Sequence, residues 1–366
     1  MELNEILQVA LRASASDIHL KAGLPPMFRV DGALVPLKDA RRLPPEEIGR
    51  MCFGIMNEYQ KEKFKQTNEV DLAYGVPGLG RFRVNVFQQR GTMGVVLRVI
   101  PFKIQSIEQL MLPKVLERIA GEQRGLILVT GTTGSGKSTT LAAMIDHINA
   151  TETCHIMTIE DPIEFLIRDK RSIVNQREVG VDTMSFGQAL KSALRQDPDV
   201  ILVGEMRDLE TIETALTAAE TGHLVMSTLH TLDATETINR IISAFPPYQQ
   251  PQVRAQLSFV LEGVLTQNLL PRAGAPGRVL IVEVMVPNPA IRNLIREDKI
   301  HQVYSQMQVG QAKFGMQTFN QSLAAAFQKR LVTLDEAMAR SSDPDELKTL
   351  LTGLGAGPAA RPMAPR

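Results

Sequence analysis

Residues 126–139 read Leu-Ile-Leu-Val-Thr-Gly-Thr-Thr-Gly-Ser-Gly-Lys-Ser-Thr, an apolar run followed directly by a glycine-rich loop. Residues 131–139 match the phosphate-binding pattern G-x-x-x-x-G-K-[ST] completely. Glycines let the backbone turn so that several N–H groups point at a phosphate, and the helix that follows adds its positive N-terminal end. The stretch therefore predicts a buried strand at 126–130, a phosphate-binding loop and a helix at 138–149.

This loop supplies the candidate nucleotide-binding residues. They are Gly131, Thr132, Thr133, Gly134, Ser135, Gly136, Lys137, Ser138 and Thr139. Lys137 is expected to reach the β- and γ-phosphates of ATP, and the hydroxyl of Ser138 is expected to bind Mg²⁺. ATP and Mg²⁺ are therefore the predicted cofactors.

Two acidic residues flank the apolar run 200–203, and either could be proposed for the magnesium site. Asp199 precedes the run and Glu205 follows it, which places them about 20 Å apart at ~3.3 Å per residue. In a parallel sheet, ligand-binding residues gather beyond the carboxyl ends of the strands. This rule selects Glu205 as the magnesium-binding residue, although Gly204 stands where the common motif has an aspartate.

Polar residues also follow two other predicted strands. Glu160 and Glu164 come after the run 155–159, and a carboxylate there could orient or deprotonate the attacking water. The spacing alone does not choose between these two residues. His230 comes after the run 224–229, where a neutral imidazole or a neighbouring threonine hydroxyl could sense the γ-phosphate.

The chain divides into two predicted domains, a linker and a tail. Residues 1–100 are predicted to form a small α/β domain, and 101–113, which begins and ends with proline, is the expected linker. Residues 114–352 alternate continuous apolar runs with helical segments, which indicates strands buried on both faces of a parallel sheet. The segment 353–366, rich in Gly, Ala and Pro, is expected to be disordered.

Periodicity and turn signals also place individual elements. Strands are predicted at 17–20, 27–30, 33–37, 81–88, 93–99, 126–130, 155–159, 200–203, 224–229 and 279–286. Helices are predicted at 3–13, 138–149, 186–195, 209–221 and 252–269.

Composition and charge disfavour several classes of protein. The chain has 366 residues with 40 Lys and Arg against 40 Asp and Glu, so it lacks the basic excess typical of a nucleic-acid motor. It has no apolar stretch of ~20 residues that could span a bilayer, and no basic and apolar N-terminal signal. Its 2 cysteines fit a reducing compartment. We therefore expect a cytoplasmic protein that binds no nucleic acid.

Four motifs in order give the chain a specific resemblance. They are GTTGSGKST at 131–139, TIEDPIEF at 158–165, DPDVILVGEMRD at 197–208 and TGHLVMSTLHTLDA at 221–234. Over residues 1–350 the chain resembles the secretion ATPase superfamily that powers type II secretion and type IV pili. The resemblance implies a PAS-like α+β N-terminal domain, then a RecA-like P-loop NTPase domain with a parallel-rich sheet and C-terminal helices, assembled as a ring homohexamer.

A fifth motif narrows the resemblance within the superfamily. Residues 290–297 read AIRNLIRE, which is similar to a signature of the PilT family of retraction ATPases that drive twitching motility. The segment is predicted to be a short amphipathic helix with Asn288 as its N-cap and Pro289 at its first position. The short N-terminal region and the lack of a CxxC…CxxC motif agree with this family. The alternative is a sister ATPase that drives pilus extension or type II secretion.

The resemblance also implies roles for individual residues. Glu164 is expected to be the water-activating base and Glu205 to bind magnesium. Arginines of the N-terminal domain are expected to contact the γ-phosphate. The candidates are Arg81 and Arg83, which would share one face of a strand, and Arg98 on the next strand, with Arg195 and Arg207 as alternatives.

The expected partners follow from the same resemblance. They are an inner-membrane platform protein of the pilus, the pilin fibre through that platform, and a paralogous retraction ATPase. The hexamer is expected to work as a peripheral protein at the inner face of the cytoplasmic membrane. A nucleotide-gated adaptor without turnover is disfavoured because the acidic clusters needed for hydrolysis are intact.

Overall fold

The computed structural model describes residues 2–30, 32–101 and 103–355, and for 353–355 it describes the backbone alone. The chain forms two compact units. The first consists of Met1–Lys103 with Pro162–Ile167, and the second of Ile104–Asp161 with Arg168–Arg366. The division along the chain falls inside the predicted linker 101–113. The sequence did not indicate that a segment from the middle of the chain groups with the first unit.

The first unit is an antiparallel sheet with helices on one face. Its elements are α1 (Leu3–Arg12), β1 (Asp17–Lys21), β2 (Met27–Val30), β3 (Ala33–Pro36), α2 (Pro45–Ile55), α3 (Glu58–Thr67), β4 (Glu69–Val76), β5 (Gly80–Gln89) and β6 (Thr92–Ile100). The sheet order is β3-β2-β1-β6-β5-β4. Phe82 and Val84 on β5 are fully buried in one core with Ile6 and Leu7 of α1.

The second unit contains the remaining strands and helices. Its strands are β7 (Gly125–Thr130), β8 (His155–Glu160), β9 (Ile173–Glu178), β10 (Val200–Val203), β11 (Leu224–Leu229), β12 (Leu261–Pro271) and β13 (Arg278–Met285). Its first helices are α4 (Val115–Ala120), α5 (Lys137–Thr151), α6 (Phe186–Ala193), α7 (Leu209–Glu220), α8 (Ala234–Ser243) and α9 (Gln250–Val260). The C-terminal helices are α10 (Pro289–Arg296), α11 (Val303–Val309), α12 (Gln311–Phe314), α13 (Phe319–Gln328), α14 (Leu334–Arg340) and α15 (Pro344–Gly355), with a 3₁₀ turn at Ile300–Gln302.

The second unit is built on a 7-stranded sheet in the order β13-β12-β7-β11-β10-β8-β9. Only its edge strand β13 runs antiparallel to its neighbour. Every residue of β7, β10 and β11 is buried, as expected of parallel strands with both faces covered. The predicted parallel-rich sheet is therefore confirmed.

The predicted helix over 252–269 is wrong in its second half. The helix α9 ends at Val260, and the chain continues directly as β12. This strand pairs with β7 on one side and β13 on the other, and most of it is buried. Its sheet hydrogen bonds override a local pattern that also fits a helix, since buried strands and buried helices are both apolar. The strands β4 and β9 also lie outside the predicted strands.

The helix α10 explains why α9 ends where it does. Arg292 donates hydrogen bonds from Nη1 to the carbonyl oxygens of Ser258 (3.0 Å) and Phe259 (2.8 Å). From Nη2 it donates to both carboxylate oxygens of Glu262, at 3.0 and 2.9 Å. Burial raises the pKa of the Glu262 carboxyl, and the Arg292 guanidinium opposes that rise. One guanidinium thus binds the last carbonyls of α9 and a carboxylate at the start of β12.

The predicted ends and apolar face of α10 are also present. The Asn288 side chain accepts a hydrogen bond from the Ile291 amide at 2.8 Å, and Pro289 is the first helical residue. Ile291 and Ile295 are fully buried, while Leu294 is only partly buried. The AIRNLIRE segment is therefore a packed helix that holds the α9–β12 junction.

The predicted tail is described only in part. The helix α15 extends to Gly355, so the first residues of the segment 353–366 are helical. Residues 356–366 lie outside the described residues. Across the ranges that the structure does describe, no helix combines the length and the apolar character needed to cross a bilayer.

Replacing Arg292 by lysine is expected to destabilise the second unit by about 2 kcal/mol, because an ammonium cannot bind two carbonyls and a carboxylate in one plane. The measurement is the midpoint of urea unfolding. The control is Arg296→Lys, since Arg296 is exposed and lies 5.9 Å from the centre of the Phe259 ring. Equal midpoints for the two variants would contradict the capping role.

Candidate nucleotide-binding site

The register of the parallel strands brings the sequence motifs to one edge of the sheet. Thr130 at the end of β7 is paired with Leu229 at the end of β11. Val203 at the end of β10 is paired with Ser227 of β11 and with Ile159 of β8. The segments that follow these strands therefore leave the sheet from the same edge. They are the loop at 131–136, His230 and the pair 204–205, and Glu160 lies at the same edge as the last residue of β8.

The glycines of the phosphate-binding loop hold a backbone that other residues could not adopt. Gly131 has φ of +133°, and a Cβ there would lie 2.3 Å from the carbonyl oxygen of Gln267. Gly136 has φ of +93° and is the residue that precedes α5. The hydroxyl of Ser135 is buried and has no hydrogen-bond partner among the described residues. This unpaired buried donor is what a loop built to bind an anion should contain.

Lys137 lies in the mouth of this loop. The residue is 9% exposed, and its ammonium donates hydrogen bonds to the carbonyl oxygens of Gly131 (2.9 Å) and Thr132 (3.1 Å). Thr132, Thr133 and Gly134 are exposed at the tip of the loop. Ser138 and Thr139, in the first turn of α5, are partly buried and complete the set. The loop therefore fits a polyphosphate bound by backbone N–H groups and one lysine.

Strand β12 supports the loop from the side. The Gln267 carboxamide donates to the hydroxyl of Thr140 in α5 at 2.8 Å, and the hydroxyls of Thr266 and Thr130 lie 2.9 Å apart. Sequence reasoning missed Thr266 and Gln267 because they fall in the segment that was predicted as helix. A signal was present, since Thr-Gln-Asn at 266–268 interrupts an otherwise apolar stretch.

Glu205 lies at the carboxyl edge and has two cationic or potentially cationic neighbours. Its Oε1 is 2.8 Å from Nε of Arg207, and its Oε2 is 3.7 Å from Nε2 of His230. The backbone here is fixed because the Thr228 hydroxyl donates to the carbonyl oxygen of Gly204 at 2.7 Å. A Cβ on Gly204 would approach the carbonyl oxygen of Ile159 to 3.2 Å. This close approach favours glycine where the common motif has an aspartate.

Asp199 lies at the opposite edge of the sheet, where its role is structural. Its carboxylate accepts a hydrogen bond from the His155 amide at 2.8 Å, at the start of β8. The rule that ligand residues follow the carboxyl ends of strands thus separates the two acidic residues that flank β10.

Glu160 and Glu164 are held in different ways. Glu160 accepts hydrogen bonds from the Thr158 hydroxyl (2.6 Å) and from the side-chain carboxamide of Gln176 (3.1 Å) at the carboxyl edge of the sheet. Glu164 is exposed and lies in the segment Pro162–Ile167, which groups with the first unit. The two carboxylates therefore differ in solvent access.

The three candidate arginines lie on one face of the sheet of the first unit. Arg81 and Arg83 alternate with the buried Phe82 of β5, and Arg83 is paired with Arg98 of β6. Arg98 already has a partner, because its Nε donates to Oδ1 of Asp17 at 2.8 Å. Desolvation raises the pKa of the Asp17 carboxyl, but the hydrogen bonds from Arg98 and Ser16, together with the nearby charge of Arg98, leave this pKa lowered.

The chain is similar to known proteins over most of its length. Residues 1–339 match the family described as type II/IV secretion system protein. The chain is 50% identical over 350 residues to the type IV pilus retraction ATPase PilT of Pseudomonas aeruginosa, covering 94% of this chain and 99% of that protein. It is 49% identical over 322 residues to a twitching motility protein of Neisseria gonorrhoeae, covering 88% of this chain and 86% of that protein.

A solved structure agrees with the fold. The crystal structure of the pilus retraction motor PilT with bound ADP matches with a TM-score of 0.87 and 53% identity, covering 95% of this chain and 99% of that one. The match confirms the predicted fold class, an N-terminal α+β domain followed by a RecA-like domain with a parallel-rich sheet.

The close approach at Gly131 leads to a testable prediction. Gly131→Ala is expected to weaken ADP binding about 100-fold, because the added Cβ must push the loop away from Gln267 and misalign its N–H groups. ADP affinity is measured by calorimetry. Gly222→Ala is the matched control, since Gly222 has φ of +118° and a Cβ there meets nothing within 4 Å. Equal ADP affinity in both variants would show that the loop geometry is not what binds the nucleotide.

Proposed function

This chain belongs to the type II/IV secretion system protein family, and we propose that it is an ATP-hydrolysing motor that retracts type IV pili. The observation that carries the proposal is the 50% identity, over 94% of the chain, to a protein named as a pilus retraction ATPase. The arrangement of the loop at 131–139 with Lys137 and of Glu205 at one sheet edge supplies the parts for nucleotide hydrolysis.

ATP binds at residues 131–139 in this proposal. The ammonium of Lys137 leaves the loop carbonyls for the β- and γ-phosphates, and the unpaired Ser135 hydroxyl gains a phosphate partner. Ser138 and Glu205 would hold Mg²⁺, and the ion would supply positive charge beside the phosphates. Within the described residues no group of three or more His, Cys, Asp or Glu side chains could hold a metal. A hydroxyl and one carboxylate suit Mg²⁺ because that ion binds largely through phosphate and water oxygens.

The remaining site residues have distinct proposed roles. Glu164 activates the attacking water, with Glu160 as the alternative base, and His230 senses the γ-phosphate through its contact with Glu205. Arg81, Arg83 and Arg98 neutralise charge on the γ-phosphate. What supports this role is that all three arginines lie on one face of their sheet. The opposite face of β5 is the buried one.

Assembly and partners follow the same proposal. The chain works as a ring homohexamer in the cytoplasm, at the inner face of the cytoplasmic membrane, against the platform protein of the pilus. It acts on the pilin fibre through that platform and works beside a paralogous retraction ATPase. A sister ATPase for pilus extension or secretion is the second candidate, which the four superfamily motifs alone also fit.

Lys137→Ala is expected to lower Mg²⁺-dependent ATP turnover at least about 100-fold, because the phosphates lose their only lysine in the loop. Phosphate release by the purified protein is the measurement, and Lys170→Ala is the control, since Lys170 pairs with Asp146 on the surface. In cells that encode the chain, the K137A variant should keep surface pili and lose twitching. Loss of pili altogether would instead support a role in extension.

The two candidate bases can be separated by isosteric variants. Glu164→Gln is expected to lower kcat about 100-fold with little change in ATP affinity, because an amide cannot accept the proton of the attacking water. Glu160→Gln is the comparison, measured in the same steady-state assay. A larger loss in the Glu160 variant would move the base to that residue.

A further inference from the structure

The buried side chain of Glu283 on β13 lies at the same register position of the sheet as Thr130, the residue just before the phosphate-binding loop. Thr130, Thr266 and Glu283 are paired in register across β7, β12 and β13, and all three are buried. Thr130 immediately precedes Gly131. Glu283 is the one charged residue in the otherwise apolar run 279–286.

The Glu283 carboxylate is held by the start of two helices. Its Oε1 accepts a hydrogen bond from the amide of Ala234, the first residue of α8, at 2.8 Å. The carboxylate also accepts one from the backbone of Phe319, the first residue of α13. Glu283 is 3% exposed and forms no ion pair with any of the described residues. Its charge therefore depends on two helix N-termini.

Burying the Glu283 carboxyl costs free energy because the group loses its contact with water. The pKa of the Glu283 carboxyl is raised to about 7, chiefly by desolvation and also by the nearby Asp233. The backbone hydrogen bonds from Ala234 and Phe319 act in the opposite direction. Glutamine would fill the same space without the cost of burying an ionisable group, so the carboxyl calls for a reason beyond packing.

The helix α8, which Glu283 binds at its first residue, begins directly after the segment that contains His230. The segment 230–233 joins β11 to α8 and is tied to the first turn of that helix. The Thr231 hydroxyl lies 2.7 Å from that of Thr237, which donates to the carbonyl oxygen of Asp233 at 2.7 Å. A shift in the start of α8 would therefore move His230, which contacts Glu205.

The second helix belongs to the C-terminal part of the unit. Gln317, just before α13, exchanges backbone hydrogen bonds with Val284, the residue after Glu283, at 2.8 and 3.0 Å. Residues of α13, α14 and α15 share one apolar core that also includes Val279 and Ile281 of β13. The same carboxylate thus joins these helices to the start of α8.

We propose that Glu283 is a positioning residue that fixes the His230 segment relative to Glu205 and links it to the C-terminal helices. The inference rests on the proposed function, because the segment matters for hydrolysis only if ATP is hydrolysed at this edge. The helix N-termini hold the carboxylate, and the carboxylate in turn fixes where α8 and α13 begin.

Glu283→Gln tests the proposal, because the amide keeps the volume but cannot accept both helix N–H groups equally well. The variant is expected to lower kcat about 10-fold or more while the KM for ATP and the affinity for ADP stay close to those of the parent. Amide hydrogen exchange of nucleotide-free protein should be faster at 230–236 and at 319–321. Glu283→Asp, which keeps the charge but shortens the side chain, gives the same test if the first variant is poorly folded.

Thr318→Ala is the matched control. Thr318 caps α13 through its hydroxyl at the Gln321 amide, so its loss loosens the same helix without altering the carboxylate. This control should exchange faster at 319–321 alone and keep the parent kcat. Parent kcat and parent exchange at 230–236 in Glu283→Gln would overturn the inference. If the parent protein hydrolyses no ATP, the proposed function fails, and the exchange data still report whether Glu283 holds α8.

Discussion

The register of β7, β11, β10 and β8 is the constraint on which the rest of the second unit depends. These parallel strands are buried on both faces, so their apolar residues tolerate no slip against the flanking helices. Thr130 is paired with Leu229, and Val203 with Ile159 and Ser227, so the segments that leave these strands begin at one edge, within two residues of one another in register. The backbone pairing thus brings the four segments of the candidate site to one edge of the sheet.

The phosphate-binding loop depends on a neighbour as well as on its own glycines. Gly131 lies so close to the Gln267 carbonyl that β12 limits where the loop backbone can go. The Thr130–Thr266 and Gln267–Thr140 hydrogen bonds add side-chain contacts on both sides of the loop. Preorganisation of this kind matters because an anion site gains affinity when its donors need not move on binding.

The sequence predicted those parts of the molecule that depend on local pattern. Continuous apolar runs placed the central strands, and the motif at 131–139 placed the loop. The strand β12 could not be foreseen, because an apolar run of its length fits a buried helix equally well. Tertiary contacts decide between strand and helix here. They are the pairing of β12 with β7 and β13, and the hydrogen bonds from Arg292 to the last carbonyls of α9. Glu283 is the opposite case: an acidic residue within an apolar run is visible in the sequence, but its role depends on the two helices whose N–H groups bind it.

The two acidic residues that flank β10, Asp199 and Glu205, have different kinds of partner, and this difference also favours Glu205 as the ligand-binding residue. Asp199 is bound to a backbone amide at the start of β8, and such a bond is part of the fold. Glu205 is bound instead to Arg207, whose side chain is 75% exposed, and lies near a half-exposed His230. An ion pair with an exposed arginine contributes little stability, so a bound cation can replace that arginine at small cost. The carboxylate at the carboxyl edge is thus the one whose present partners are exchangeable, which is what a ligand-binding carboxylate requires.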